Sequence, residues 1–180
     1  DTSLAYLNDP DQRKMIAGEG GDPERQHEIY IGIINKALAG RPDGLTITTH
    51  LCRGNFRSSW VASGSYDYVA DALFNKINLD AYFLEYDNAR AGTFDPLRMV
   101  PKGKTVVLGL VGSRVPELEP VDQLKRRIDE AAKLVDIDQL ALSPHCGFAT
   151  GVFASSDESL ALERAKLARV VEVARQVWKN

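Results

Sequence analysis

The sequence predicts an α/β fold made of parallel strand–helix units. Three observations predict it. Four short β-branched or apolar runs alternate, for the most part, with segments of helical spacing. One run, Thr105–Val111, is apolar almost from end to end, as a strand covered on both faces should be. Both cysteines, one histidine and one glutamate fall at or just past the ends of such runs, where parallel α/β sheets carry their chemistry.

In chain order, Pro23–Ala39 sets Ile29, Ile33, Ile34, Ala37 and Leu38 at helical spacing, and Gly40 and Pro42 stop it. Leu45–His50 is β-branched and reads as a strand. A glycine-bearing loop follows. Tyr66–Asn75 reads as a helix with Val69, Ala70, Leu73 and Phe74 inward. Asp80–Glu85 and Thr105–Val111 are the second and third strands. Val121–Val135 is a charged amphipathic helix, Gln139–Ser143 a short fourth strand, and Leu160–Trp178 a long closing helix with a charged outer face. No repeat or linker interrupts the chain, so residues 1–180 read as a single domain. Crossovers between parallel strands should be right-handed. A closed (β/α)8 barrel needs roughly 250 residues; four strands in 180 residues make about half of one. Half a barrel leaves two open edges. The chain then pairs with a second copy or another chain, is part of a larger barrel, or folds as a smaller open sheet.

Composition narrows the classes. Hydrophobic content of 44% with 26% charged residues is ordinary for a globular protein. A net charge of −3 supplies no basic footprint for nucleic acid or an anionic membrane surface. No run of about 18 apolar residues predicts a spanning helix. Asp1–Ala5 lacks the basic and apolar regions of a signal peptide. The two cysteines therefore read as reduced thiols of a cytoplasmic protein.

The chemistry concentrates on His50, Cys52, Glu85 and Cys146. One imidazole, two thiolates and one carboxylate form a complete ligand set for Zn2+. They converge only if their strands are neighbours in one parallel sheet. Taken singly, each has a plainer reading. A free cysteine is usually a small buried hydrophobe, and a strand-end glutamate is usually solvated. Yet Tyr82, Phe83 and Leu84 make the strand of Glu85 apolar, so its carboxylate needs a partner. His145 reads as a loop histidine or as one that supports the neighbouring ligands without being one of them, and His27 as a surface residue. The loop Arg53-Gly54-Asn55-Phe56-Arg57 is the next richest segment. Arg53 and Arg57 suit capture of a carboxylate or phosphate, with Asn55 and Asp87 as further substrate-binding candidates. Structural ion pairs with Asp87, Asp95 or Glu117 would explain the arginines equally well.

The segments His50-Leu51-Cys52, Phe83-Leu84-Glu85 and Ser143-Pro144-His145-Cys146-Gly147-Phe148 resemble the metal-ligand motifs of cobalamin-independent methionine synthases. Cys52–Ser58 and Val100–Thr105 resemble short single-barrel relatives of those enzymes. The resemblance covers nearly the whole chain and corresponds to the second half of the family's catalytic TIM barrel. It implies a zinc-dependent transfer of a methyl group from a methylated folate to the thiol of homocysteine, through a zinc-bound thiolate. An alkyltransferase acting on another thiol, of the coenzyme M type, and a non-catalytic zinc-binding half-barrel are the alternatives. The resemblance also implies a histidine after the third strand, where Val111-Gly112-Ser113-Arg114-Val115-Pro116 has none. The acidic residues that would hold the amino group of homocysteine lie before this segment, with Asp1 at most a remnant.

Overall fold

A computed structural model describes residues 2–54, 61–148 and 157–179. Phe56 and Trp60, and the substrate-binding candidates Asn55 and Arg57, lie outside the described residues, as does Asp1. The described elements are α1 (Pro10–Gly18), α2 (Pro23–Leu38), β1 (Thr48–Leu51), β2 (Ala81–Glu85), β3 (Thr105–Val111), α3 (Val121–Ala132), β4 (Leu140–Pro144) and α4 (Asp157–Trp178), with short 3-10 turns between them. The strands form one parallel sheet in the order β1-β2-β3-β4. The predicted α/β architecture is therefore what the chain adopts. Among the described residues β1 and β4 are both edge strands.

Alternation along each strand separates two faces. Leu51, Tyr82, Leu84, Val106, Leu108 and Leu110 are buried and belong to one core with Leu124, Ile128 and Ala131 of α3 and Val173 of α4. Burying a side chain of this size contributes about 2 kcal/mol, so this layer carries most of the stability. The opposite face presents Thr48, His50, Phe83, Gly109 and Ser143 to an open cavity of about 490 Å3.

Three local readings need correction. Helix α1 and the 3-10 turn Ser3–Asn8 had no counterpart in the apolar pattern. No residue of α1 is buried, so it has no stripe to read; only its Asp9-Pro10 start marks it, with Asp9 accepting from Asp11 N–H at 2.9 Å. The same device, Asp22-Pro23, opens α2. Second, the helix expected over Tyr66–Asn75 is a 3-10 turn at Tyr66–Tyr68 followed by a π turn at Ala72–Lys76. Its inward residues are as expected, but Ala72 and Ile77 are buried with them. That is more than one stripe of a regular helix presents. Third, the first strand starts at Thr48, three residues later than Leu45.

Candidate metal centre

Four side chains meet beyond the C-terminal end of the sheet. His50 lies on β1, Cys52 directly follows it, Glu85 closes β2 and Cys146 follows β4. One ligand atom from each lies within 4.8 Å of all the others. Strand register accounts for part of this. His50 pairs with Phe83, which brings Cys52 level with Glu85 on the same face.

Gly109 accounts for another part. A Cβ at this position would lie 2.8 Å from both Leu84 O and His145 Cα. Only a residue without a side chain lets the segment after β4 cross the strand there. The crossing is secured by His145 N–H donating to Val111 O at 2.9 Å. It delivers Cys146 to the other three ligands.

Glu85 is fully buried, and a buried carboxylate must be hydrogen-bonded. Its Oε1 accepts from Cys146 Sγ at 2.8 Å and lies 3.5 Å from His50 Nε2. Its Oε2 accepts the backbone N–H of Arg53 at 3.1 Å. Burial pushes the carboxyl pKa up, but His50, Cys146 and the Arg53 N–H outweigh it and hold it below its ordinary value.

The two sulfurs are 3.5 Å apart and both thiols are free. The hydrogen bond from Cys146, helped by Gly54 N–H at 3.2 Å, outweighs burial and the charge of Glu85 and brings Cys52 down to about 6. That same bond to Cys52, together with burial and Glu85, holds Cys146 far above its ordinary value. The pair releases one proton readily and resists losing the second until a cation offsets the charge. Two soft sulfurs, an imidazole and a carboxylate also match the donor set a tetrahedral zinc-type ion takes. The residues present thus fit a metal.

The surroundings are built to hold this arrangement. The guanidinium of Arg53 turns away from the cavity, into the core. It donates to Gly64 O at 2.8 Å, Glu85 O at 2.9 Å and Tyr66 Oη at 2.9 Å, and it stacks 4.1 Å over the Tyr66 ring. Tyr66 Oη in turn accepts Glu85 N–H at 2.9 Å; burial pushes this phenol well above its ordinary range. Of the proposed anion binders, Arg53 therefore contacts the centre through its backbone. Its partners are carbonyls and a phenol, not the carboxylates named above. Asp87 lies behind the ligands, 3.6 Å from His145 Nδ1 and 3.9 Å from Arg114. Burial raises the Asp87 carboxyl above its ordinary value and lowers the His145 imidazole below its own.

The family model described as cobalamin-independent synthase, catalytic domain, matches residues 34–176. The chain belongs to this family. Among its relatives, the uncharacterized protein YxjH of Bacillus subtilis is 49% identical over 183 residues, covering 99% of this chain and 48% of the relative. A 5-methyltetrahydropteroyltriglutamate–homocysteine methyltransferase of Rhodococcus jostii is 24% identical over 168 residues, covering 92% of this chain and 21% of that protein. A solved structure, the putative vitamin-B12 independent methionine synthase of Listeria monocytogenes, superposes with a TM-score of 0.71 at 35% identity, covering 99% of this chain and 46% of the other. The chain spans about half the length of YxjH and of that Listeria protein.

His145, read as a loop histidine or as one that supports the ligands, is buried and places its carbonyl 3.0 Å from His50 Nε2. As a member of the cobalamin-independent synthase family the chain carries two features its sequence did not announce. Arg114 stands in the loop after β3, where the family resemblance led us to expect a histidine, and reaches the centre. Tyr6, in the first 3-10 turn, has its phenol raised by burial and then by the charges of Cys52, Glu85 and Cys146. Strand-end position was a usable signal for Arg114; nothing in the sequence pattern marked Tyr6.

Proposed function

We propose that the chain is the metal-holding half of a zinc-dependent thiol methyltransferase, with homocysteine as acceptor and a methylated folate as donor. The observation that carries this is the convergence of His50, Cys52, Glu85 and Cys146 to within 4.8 Å. Membership of the cobalamin-independent synthase family supports the reaction class. On this reading the 180 residues form one domain, the C-terminal half of a (β/α)8 barrel acting in the cytoplasm. No helix among the described residues is long and apolar enough to cross a membrane.

His50, Cys52, Glu85 and Cys146 would hold the ion. Zinc bound there supplies Lewis acidity that favours the ionised form of an incoming thiol at neutral pH. The chain's own residues do the rest. Arg53 N–H and Tyr66 fix Glu85. The inner face around Phe83, Gly109 and Ser143 leaves room for a small thiol. Asp87 remains a candidate for contact with the polar end of the substrate; the contacts made by Arg53 suit it to positioning Glu85. Asn55 and Arg57 remain candidates for holding a substrate anion.

The test is thiol-specific binding. Titration calorimetry of the zinc-loaded chain should show uptake of homocysteine and none of homoserine, which has a hydroxyl in place of the thiol. The metal-free chain and Cys146→Ser should show no uptake. Equal binding of homoserine, or undiminished binding by Cys146→Ser, would refute the proposal.

A further inference from the structure

We propose that Arg114 is a positioning residue for the metal centre, clamping the loops that follow all four strands and setting a positive charge beside Cys146. The inference rests on the metal-site reading above and extends it to a residue that is not a ligand.

The geometry is specific. Arg114 is carried by the loop after β3, and its side chain is 6% exposed. One terminal nitrogen donates to Gly54 O, in the loop after β1, at 2.7 Å. The same nitrogen lies 3.9 Å from Cys146 Sγ, in the loop after β4. The other contacts His145 Nε2 in that loop and lies 3.9 Å from Asp87 Oδ2 in the loop after β2. A single planar group thus joins its own loop to the other three, a task suited to the rigid fork of arginine rather than the point charge of lysine.

The clamp is itself anchored. Gly112 N–H donates to Glu119 Oε1 at 2.8 Å. Glu119 also receives Lys166 Nζ of α4 at 3.1 Å, and Lys166 is fully buried. Arg169 of α4 donates to the Glu119 carbonyl. A fully buried lysine is retained only when paired. This pair ties the loop bearing Arg114 to α4. The charge has a purpose as well. Two ionised thiols and a carboxylate bring three negative charges to one point, and a cation less than 4 Å from one sulfur offsets part of their repulsion.

The test uses the full chain with Arg114→Met and Arg114→Lys. Hydrogen exchange of the metal-free protein should rise about tenfold or more in peptides spanning Cys52–Gly54 and Pro144–Gly147 in both variants, with α3 unchanged. Zinc affinity, from competition with a chelator, should fall about 10- to 100-fold in Arg114→Met, the usual effect of losing a group that supports metal ligands. Arg114→Lys should fall less. With cobalt in place of zinc, the thiolate-to-cobalt charge-transfer band should move to lower energy in Arg114→Met as the neighbouring positive charge is lost. Unchanged exchange in those two peptides would overturn the clamp. Wild-type zinc affinity in Arg114→Met would overturn its support of the ligands, and an unshifted band would overturn the charge role. If Arg114→Met does not fold, Arg114→Lys decides through the same exchange readout. A wild-type chain that takes no metal would instead refute the metal reading, and the exchange result would still decide the clamp.

Discussion

The two ends of the same sheet use polar side chains in opposite ways. At the N-terminal end each polar group closes a loop by satisfying backbone. Asp80 accepts Ile47 N–H at 2.7 Å and pairs with Arg41 at 2.9 Å. Gln139 donates to Pro101 O and Lys104 O, both at 2.8 Å. Lys104 donates to Leu79 O. Arg41 and Asp80 remain partly exposed, so little desolvation is involved. At the C-terminal end Arg53 and Glu85 are fully buried, and two sulfurs and a carboxylate are packed with His50 to within 4.8 Å of one another. The first end is arranged for stability alone. The second tolerates local repulsion that a cation would relieve. In parallel α/β folds that contrast separates the structural end from the chemical one.

The contrast can be broken by mutation. The largest effect is expected for Cys146→Ser and Glu85→Gln, which should lose about 100-fold or more in zinc affinity in a chelator competition. Retention of wild-type affinity would mean that these residues are not ligands. Next comes Arg53→Met, which removes the guanidinium donor of Gly64 O and Glu85 O and one of the two donors to Tyr66 Oη. It should cost about 3 kcal/mol in urea unfolding and weaken metal binding by loosening Glu85. A loss within about 0.5 kcal/mol would show that Arg53 supports nothing in the core. Gly109→Ala forces a Cβ against backbone on two sides. It should cost about 1–3 kcal/mol and lower zinc affinity by displacing Cys146; unchanged stability and affinity would contradict the crossing described here.

At the opposite end the smallest effect is expected. Asp80→Asn should cost about 1 kcal/mol and leave zinc affinity unaltered. Its pH dependence has a definite sign. The Ile47 N–H bond, outweighing partial burial and joined by Arg41, holds the Asp80 carboxyl below its ordinary value. A depressed carboxyl stabilises the fold fully above the unfolded pKa of about 3.9 and loses that stabilisation as pH falls through the folded value. The gap in melting temperature between wild type and Asp80→Asn should be constant above about pH 5 and close below about pH 4. A gap that persists in acid would mean that the Asp80 charge is not what stabilises the loop.

How much of this was legible in the sequence follows from which forces set each feature. Thr105–Val111 could be read to the residue because a strand buried on both faces leaves an unbroken apolar run. Glu85 stood out because a carboxylate closing an apolar strand must find partners, and it found three. Helix α1 was missed because none of its residues is fully buried and only Ile16 packs against the core, leaving its Asp9-Pro10 cap as the signal. The π turn at Ala72–Lys76 could not be read from periodicity, since tertiary packing sets which sides are covered. Arg53 illustrates a different limit. Its residue type and loop position suggested a ligand-facing cation, but the rotamer that fills the space beside Tyr66 points it into the core. Arg114 could be placed after a strand, but its reach to Gly54 and Cys146 depends on long-range packing.

The central claim is that His50, Cys52, Glu85 and Cys146 form one metal site. X-ray absorption at the zinc edge of the zinc-loaded chain tests it most directly. One zinc should be held tightly per chain, with two sulfur neighbours at about 2.3 Å and two lighter neighbours at about 2.0–2.2 Å. Failure to retain zinc, or a shell of nitrogen and oxygen alone, would contradict it.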